Sequence, residues 1–466
     1  MKIKTISSVE RFAYSKAHWW RLFCVVLFGG LLLITGCGGG NSNPVTPGST
    51  QFKIGDAPAD SVLALELTIT NITLTNQSGG SVTVLSSADE IEASHLAGTV
   101  ETLALSDVPS GTYTQASISY SGAEITYIPA GSTTPVEKQL SASGTANVPL
   151  NSLSIGTSSV VSFDLNAAQS LTFDAGGNVT ALNPVFTASA AAVAAENAQE
   201  EESGAFEVVG AINAAPSNNA FVVSLQMMPQ SAKVNVNSNT SYSDGLNTYN
   251  DLKQGMLVEV EATTQPDGSL LAKQVELVEN EGIEAEGIIT SVTNPLTQFT
   301  IVDEDGVGSG LSPANIGSNI NVNVSAISTS FRADLHHVDM SGLSFSFSNA
   351  ANVAKGQNVQ VESSGGMQTN STINADKVVL VKQALSGTVS NYVASGSSSA
   401  TFTLSLPAES AFFKLTGVNA ITVYQQPGTE LKGLSAVNNG SAIRVRGMLF
   451  FDGAGYHFVA VRIALP

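Results

Sequence analysis

Two adjacent histidines with two flanking aspartates are the residues in this sequence best suited to metal chemistry. The segment RADLHHVDM contains Asp334, His336, His337 and Asp339. In an extended strand alternate side chains share a face, so His336 lies beside Asp334 and His337 beside Asp339. Imidazole and carboxylate groups together ligate divalent metals. Adjacent histidines point to opposite faces of a strand, however, and the alternative is an exposed polar strand or loop. We therefore assign no metal and keep these four residues as candidates.

The segment DEDGVGSG, residues 303–310, is similar in composition to a calcium-binding loop. An EF-hand loop places glycine at its sixth position and glutamate at its twelfth. Here Gly306 occupies the fourth position and Ala314 the twelfth. The spacing therefore predicts a glycine-rich β-turn rather than a calcium site.

The sequence contains none of the short motifs that mark common catalytic sites. G-x-S-x-G, H-E-x-x-H, the P-loop and G-x-G-x-x-G are all absent. Asp and Glu are numerous, so a carboxylate pair of the kind used in glycoside hydrolysis stays open, but no spacing selects one. We assign no catalytic residue and no cofactor.

Cys37 stands where a short apolar segment ends. Residues 1–21 are basic, and residues 22–35 form an apolar run of 14 residues. A membrane-spanning helix needs about 20 residues, so the pattern indicates a secretory signal. The four residues Ile-Thr-Gly-Cys that end at Cys37 resemble the lipobox of bacterial lipoproteins. The resemblance implies a signal peptide over 1–36, acylation of Cys37 and, since Gly38 follows it, placement in the outer membrane. Residues 37–51 would be a flexible tether.

The composition favours secreted β domains. Charged residues make up 12% of the 466-residue chain, hydrophobic residues 43%, and the formal net charge is −19. Such a surface repels nucleic acid, and we expect no nucleic-acid partner. Cys24 lies inside the predicted signal peptide, so the mature chain would have no internal disulfide.

Residues 52–188 alternate apolar and polar side chains over several segments, which predicts a β-sandwich. Residues 62–76, VLALELTITNITLTN, alternate with a one-residue slip before Ile72, and residues 86–106 contain the one plausible helix. The opening IGDAPAD and the segment LALSDVPSGTYTQASISYSGAEI resemble domain-of-unknown-function family 4382. That family carries no assigned catalytic residues, so none is transferred.

The rest of the chain repeats. Residues 189–204 are rich in Ala and Glu and are predicted to be a linker. Three β repeats follow over 205–280, 281–382 and 383–466, with Gly210, Gly287 and Gly387 near their starts. Their short strands predict small OB-like or SH3-like barrels. The glycine and strand spacing resembles domain-of-unknown-function family 5666.

These observations predict a mainly β protein that is lipid-anchored in the cell envelope. We expect it to bind, scaffold or adhere to an envelope or extracellular partner without chemistry, through several similar β surfaces. Two alternatives stay open. One is a glycan-directed hydrolase with an unrecognised carboxylate pair, and the other is a divalent-cation-binding envelope lipoprotein.

Overall fold

Alternating apolar side chains build the N-terminal part of the chain from strands. The computed structural model describes residues 48–57, 61–86, 88–94, 96, 101–156, 158–192, 206–225, 231–265, 269–278, 282–308, 316–365, 367–368, 371–396 and 398–466. The predicted signal peptide, Cys37 and most of the predicted tether and linker lie outside these residues. The strands of the N-terminal part are β1 (Gly48–Ala57), β2 (Val62–Asn76), β3 (Ser81–Leu85), β4 (Asp89–Glu92), β5 (Glu101–Val108), β6 (Gly111–Tyr127), β7 (Val136–Ile155), β8 (Ser158–Asn166), β9 (Leu171–Phe173), β10 (Val179–Leu182) and β11 (Phe186–Ala192).

Two sheets enclose one hydrophobic core in this part, as the predicted β-sandwich requires. One sheet has the order β11-β8-β1-β5, and the other the order β3-β2-β6-β7 with β4 also paired to β2. Leu65, Leu67 and Ile69 are fully buried in β2, and Ile72 resumes the buried series after a register shift between Ile69 and Asn71. The one-residue slip in the sequence pattern is thus a β-bulge.

Three expectations for this part of the chain are corrected. The predicted helix within 86–106 is absent from its described residues, where β4 pairs with β2 and β5 pairs with β1. β1 begins at Gly48, inside the predicted tether, because it gains β5 and β8 as partners on its two sides. β11 continues to Ala192, inside the predicted linker, because Ala192 still pairs with Ser159. In all three places the structure is determined by pairing with another strand and not by local composition.

The remaining strands form three groups. The first group contains β12 (Phe206–Ile212), β13 (Ala220–Leu225), β14 (Ser231–Asn235), β15 (Ser241–Ser243), β16 (Leu257–Thr264) and β17 (Leu270–Val278). The second contains β18 (Ile283–Val292), β19 (Gln298–Gly308), β20 (Asn319–Asn323), β21 (Ser330–Ala333), β22 (Asn358–Ser363), β23 (Thr372–Asn374) and β24 (Lys377–Leu380). The third contains β25 (Lys382–Ala394), β26 (Ala400–Ser405), β27 (Ala420–Lys432), β28 (Ala442–Phe451) and β29 (Tyr456–Ala464).

All three groups share one pairing pattern. The third group closes into a barrel of order β25-β26-β27-β29-β28, in which only β27 and β29 are parallel. The first group makes the same ring through β12, β13, β14, β17 and β16, closed by the parallel pair β14–β17. The second group repeats it, with its last strand divided into β23 and β24. We call these groups the first, second and third barrels, and their five-stranded plan is that of a small OB-like barrel.

The repeat glycines mark a close approach between the first two strands of each barrel. A Cβ at Gly210 would overlap the carbonyl oxygen of Ser224, one at Gly287 that of Val302, and one at Gly387 that of Ser405. Each glycine lies on the first strand of its barrel and each carbonyl on the second. The repeated glycine therefore permits a backbone approach that any side chain would block.

The segment 303–308 is a strand and not the predicted glycine-rich turn. It forms the end of β19 and pairs with β18 as far as Gly308 opposite Ile283. Within it, Asp303 is 1% exposed, and its Oδ1 atom has no hydrogen-bond partner. Burial, followed by the charges of Asp305, Glu92 and Glu286, raises the pKa of Asp303 to about 8.

Parts of the chain that the sequence separates are packed together. Leu63, Ile128, Val302 and Leu415 belong to one small core that joins the sandwich to the second and third barrels. The ammonium of Lys414 also donates to the carbonyl oxygen of Ile128 at 2.6 Å.

The second and third barrels share apolar contacts as well. Met448, Phe450 and Val459 of the third barrel lie in the hydrophobic core of the second. The repeat pattern suggested separate β units that bind independently. The second and third barrels instead share a hydrophobic core.

Helices contribute little to the fold. α1 (Ala167–Ser170) and α2 (Ala411–Thr416) are both short. Among the described residues, no helix combines the length and apolar character needed to cross a bilayer.

Candidate functional site

One side of the first barrel carries a row of outward-facing polar side chains. β16 alternates, so that Glu259 and Glu261 point outward while the residues around them are fully buried, namely Val258, Val260 and Ala262. On the neighbouring strand β17, Glu276 lies opposite Glu259 and Gln274 opposite Glu261. Four polar side chains thus stand together on the solvent side of these two strands.

The second barrel presents a polar face of its own. Glu284 in β18 lies opposite Glu362 in β22, and Glu362 lies opposite Lys377 in β24. β21, which carries Arg332, pairs with β24 and extends this face. The two polar faces meet across the junction between the barrels.

A cavity of 530 Å³ lies between the two faces. Its lining includes six carboxyl groups and one lysine. The charged residues of the lining are Asp244, Glu259, Glu276, Glu284, Glu362, Asp376 and Lys377. None of the residues that line it, all within the described ranges, is aromatic. We call this cavity the acidic cleft.

Two cations hold the walls of the acidic cleft together. Lys377 Nζ lies 2.6 Å from Glu362 Oε2 in its own barrel and 3.1 Å from Asp244 Oδ1 in the first barrel. Arg332 Nη2 lies 3.4 Å from Asp244 Oδ2 and 3.9 Å from Glu362 Oε1. Both cations thus contact the same two carboxylates, Asp244 and Glu362, and their charge is engaged there.

Two other carboxyl groups of the cleft, those of Glu276 and Glu284, are buried beside further negative charge. Burial and then the charge of Glu362 raise the pKa of Glu284 well above its usual range, against a hydrogen bond from Gln360. Burial also raises the pKa of Glu276, with a smaller contribution from Asp244, although Ser243 donates to it at 2.6 Å. Such carboxyl groups resist ionisation until a positive charge comes near.

A second cluster lies beside the cleft, where Glu261 meets the two histidines. His336 Nδ1 is 3.4 Å from Glu261 Oε2, and His337 Nε2 is 3.7 Å from Glu261 Oε1. One ligand atom from each residue lies within 4.8 Å of the other two. Burial alone would raise the pKa of Glu261, but hydrogen bonds and charge from both histidines outweigh it and hold this pKa below its usual range.

The histidines converge because they lie in a turn. An extended strand would have pointed them apart, but β21 ends at Ala333 before reaching them. Val338 N donates to Leu335 O at 3.0 Å, and His337 has a left-handed backbone with φ of 59°. This turn brings the two imidazole rings to a centroid distance of 3.7 Å.

The two aspartates of the candidate segment have local roles. Asp334 Oδ1 accepts a hydrogen bond from His336 N at 3.0 Å, and Asp339 Oδ1 accepts one from Ser341 N at 2.9 Å. The hydrogen bonds from Ser341 lower the pKa of Asp339. The structure therefore brings His336 and His337 together but groups them with Glu261 rather than with Asp334 or Asp339.

Sequence reasoning missed Glu261. The segment LVEVEATT already shows, by alternation, that Glu259 and Glu261 share the outward face of a strand. Their proximity to a turn more than 70 residues later depends on how two barrels pack, and no periodicity within one barrel encodes that.

Seven chains of solved structures match this chain, and two of them show how distant the likeness is. The chain of "drosophila Unr CSD456" is 11% identical, with a TM-score of 0.12, over 56% of this chain and 97% of that chain. A multidomain protein with nucleic acid binding domains from Streptococcus pneumoniae TIGR4 is 13% identical, with a TM-score of 0.11, over 55% of this chain and 73% of that chain. Scores at this level establish no common fold.

Comparison at the level of families is more informative. No curated protein sequence matches the chain. Residues 47–184, which span most of the sandwich, match the family "Domain of unknown function (DUF4382)". Residues 209–276, which span the first barrel, match "Domain of unknown function (DUF5666)". Two family models thus match separate parts of the chain, DUF4382 first and DUF5666 after it.

Proposed function

We propose that this is a lipid-anchored protein of the cell envelope that binds a cationic ligand in the acidic cleft and performs no chemistry on it. The observation that carries the proposal is the lining of the cleft, where six carboxyl groups surround one lysine. Because Lys377 and Arg332 are both engaged by Asp244 and Glu362, they leave the rest of the lining acidic.

The raised pKa values of Glu276 and Glu284 support a cationic ligand. A positive charge beside these groups would favour their ionised form, so ligand binding and proton release are coupled. The cavity has the size of an ordinary small-ligand pocket, which fits alkylammonium or guanidinium groups. An envelope partner could supply such groups through its lysine or arginine side chains.

The absence of aromatic side chains from the lining supports binding over glycan hydrolysis. Sugar-processing sites combine a carboxylate pair with surfaces that stack on sugar rings. In this cleft Asp244 and Glu362 are instead committed to ion pairs that join two barrels. We assign no catalytic residue and no cofactor.

The lipid anchor rests on the sequence before Gly38. A basic segment, a short apolar segment and Cys37 follow one another as they do in bacterial lipoproteins. Acyl chains on Cys37 would hold the domains at the outer membrane, at about 0.8 kcal/mol for each buried methylene group. Whether they face the periplasm or the exterior, the cleft would meet the partner at a membrane surface.

Calorimetric titration of the full chain with spermidine tests the proposed cleft. We expect saturable binding that strengthens as the pH rises towards 9 and weakens with added salt. Glu284→Gln and Glu276→Gln should each weaken binding several-fold, while Glu409→Gln, an exposed change in the third barrel, should not. Equal spermidine binding by all variants, or no saturable binding, would refute the proposal that the acidic cleft binds a cationic ligand. Turnover of a glycan would instead support the hydrolase alternative.

A further inference from the structure

We propose that Glu261, His336 and His337 form a binding site for a divalent transition metal, with zinc preferred, and that the bound ion links the first barrel to the second. The proposal concerns a different set of residues from the cleft lining and does not depend on spermidine binding. It assigns to the histidine pair a third ligand that lies in another barrel.

The spacing of the three side chains fits a zinc ion. Zinc bonds to nitrogen and oxygen are about 2.0–2.2 Å long, so two ligand atoms of a tetrahedral site lie about 3.4 Å apart. Glu261 Oε2 lies 3.4 Å from His336 Nδ1, and Glu261 Oε1 lies 3.7 Å from His337 Nε2. One ligand atom of each residue lies within 4.8 Å of the other two, so a common ion would draw the three side chains closer together.

The three side chains are held in place by the fold. Glu261 lies in a strand between two others, paired on one side with β12 and on the other with β17. The histidine turn is fixed at its start by the hydrogen bond from His336 N to Asp334 and at its end by Val338, which packs against the core of the second barrel. The exposed fractions of the side chains are 20% for Glu261, 30% for His336 and 14% for His337.

The donor atoms favour transition metals over calcium or magnesium. Two imidazole nitrogens and one carboxylate suit zinc and its neighbours, whereas calcium takes six to eight oxygen ligands. Three protein ligands leave one tetrahedral position for water or for a group of a partner.

The competing explanation is a plain ion pair, in which protonated histidines satisfy Glu261 without a metal. The two explanations differ in what zinc does. An ion pair requires protons on the imidazoles, whereas a metal ligand requires the ligating nitrogen to be free of its proton. Added zinc should therefore displace protons from the site.

Calorimetric titration of the full chain with zinc chloride tests the proposal. We expect one zinc-binding event that is lost or weakened at least about tenfold in Glu261→Gln, His336→Gln and His337→Asn. Asparagine tolerates the left-handed backbone at position 337, so the last variant preserves the turn. Cys24 and Cys37 are the same in every variant, so any binding by thiols cancels in the comparison.

Matched controls separate this site from other acidic or histidine groups. Asp339→Asn removes a carboxylate from the same segment, and His457→Gln removes a histidine that is paired with Asp452 elsewhere. Both variants should bind zinc as the wild type does. Excess calcium chloride should not displace the zinc. Cobalt should give the visible absorption of a tetrahedral site in the wild type and not in Glu261→Gln.

The link between the barrels has its own readout. In the wild type, zinc should slow hydrogen exchange both in the turn around residues 335–338 and in β16, and Glu261→Gln should abolish both effects. Absence of saturable zinc binding, or binding that survives all three ligand changes, would overturn the site. Zinc protection confined to the turn would overturn the link.

Discussion

Lys377 Nζ lies 3.1 Å from Asp244 Oδ1, and this contact crosses from the second barrel to the first. The two side chains are only 21% and 28% exposed, so the ion pair is partly shielded from water. Burial opposes the charge of Lys377, but the hydrogen bonds that its ammonium donates to Glu362 and Asp244 outweigh burial and raise the pKa of the lysine. The junction between the barrels therefore depends on a charge that two carboxylates share.

The first prediction concerns this ion pair. Asp244→Asn should lower the free energy of unfolding by about 1 kcal/mol, since Lys377 keeps Glu362 but loses its partner in the other barrel. Asparagine accepts the left-handed backbone at position 244, where φ is 48°, so strain does not confuse the result. A double-mutant cycle with Lys377→Met in urea measures the coupling. Additive effects of the two changes would show that the pair contributes nothing.

The second prediction concerns the close approach in the barrels. Gly287→Ala should destabilise the protein by about 1–3 kcal/mol or more, because the new Cβ would overlap the carbonyl oxygen of Val302 and force the strands apart. Gly455→Ala is the matched control, since no atom lies within 4 Å of a Cβ built there. Thermal unfolding of both variants gives the comparison. Similar melting temperatures would mean that β18 and β19 are not so close.

The third prediction concerns Asp303 and pH. Its pKa rises from the ordinary value of 3.8 to about 8 on folding, so between these pH values the folded chain holds a proton that the unfolded chain releases. Below about pH 4 the Asp303 carboxyl is protonated in both states and costs the fold nothing. As the pH rises from about 4 to about 8, the unfolded chain ionises more readily than the folded chain, so the free energy of unfolding falls. Asp303→Asn should remove this contribution and raise the stability at pH 8, by at most about 5 kcal/mol.

Urea unfolding at several pH values measures this effect. Asp305→Asn serves as the companion variant, since it removes a charge that helps to raise the pKa of Asp303. In Asp305→Asn the stability should still fall as the pH rises, but the fall should end at a lower pH because the pKa of Asp303 is lower. The prediction is wrong if Asp303→Asn leaves the difference in stability between pH 5 and pH 8 unchanged.

The fourth prediction concerns the anchor. Cys37→Ser should remove the acyl acceptor and give an uncleaved or soluble product, whereas Cys24→Ser should mature normally. Detergent-phase partitioning and intact mass of the two variants distinguish these products. Membrane partitioning of a mature Cys37→Ser protein would show that the lipobox interpretation is incorrect.

The fifth prediction concerns the shared core. Removing residues 383–466 should destabilise the second barrel, because Met448, Phe450 and Val459 leave its hydrophobic core. The truncated chain should bind a dye for exposed apolar surface and should lose cooperative unfolding above residue 282. A truncated protein that unfolds as sharply as the full chain would mean that these contacts are dispensable.

The alternation of apolar and polar residues predicts most of the strands of this protein. The period of two in residues 62–76 predicted β2, and the recurring glycines predicted three units of one kind. The one-residue slip in that period corresponds to the β-bulge, which only the strand register identifies. The segment 303–308 was misread as a turn because Gly and Asp favour turns locally, whereas pairing with β18 decides its structure. The predicted helix within 86–106 failed for the same reason, since β2 offers β4 a partner.

The candidate sites depend on packing between units, which alternation does not report. His336 and His337 could be selected from the sequence by residue type, but their partner could not. Glu261 becomes a neighbour only when the first barrel lies against the second. The acidic cleft likewise draws Asp244 and Glu362 from different barrels. Asp244 lies in the turn after β15 and Glu362 in β22, and neither local pattern distinguishes it from an ordinary surface residue.

The core that the second and third barrels share affects how the protein folds during synthesis. A chain is synthesised from its N-terminus, so β18 to β24 leave the ribosome before Met448, Phe450 and Val459 do. The core of the second barrel therefore stays partly uncovered until the strands of the third barrel have been synthesised. We expect this interval to be the period when the nascent chain most needs a chaperone.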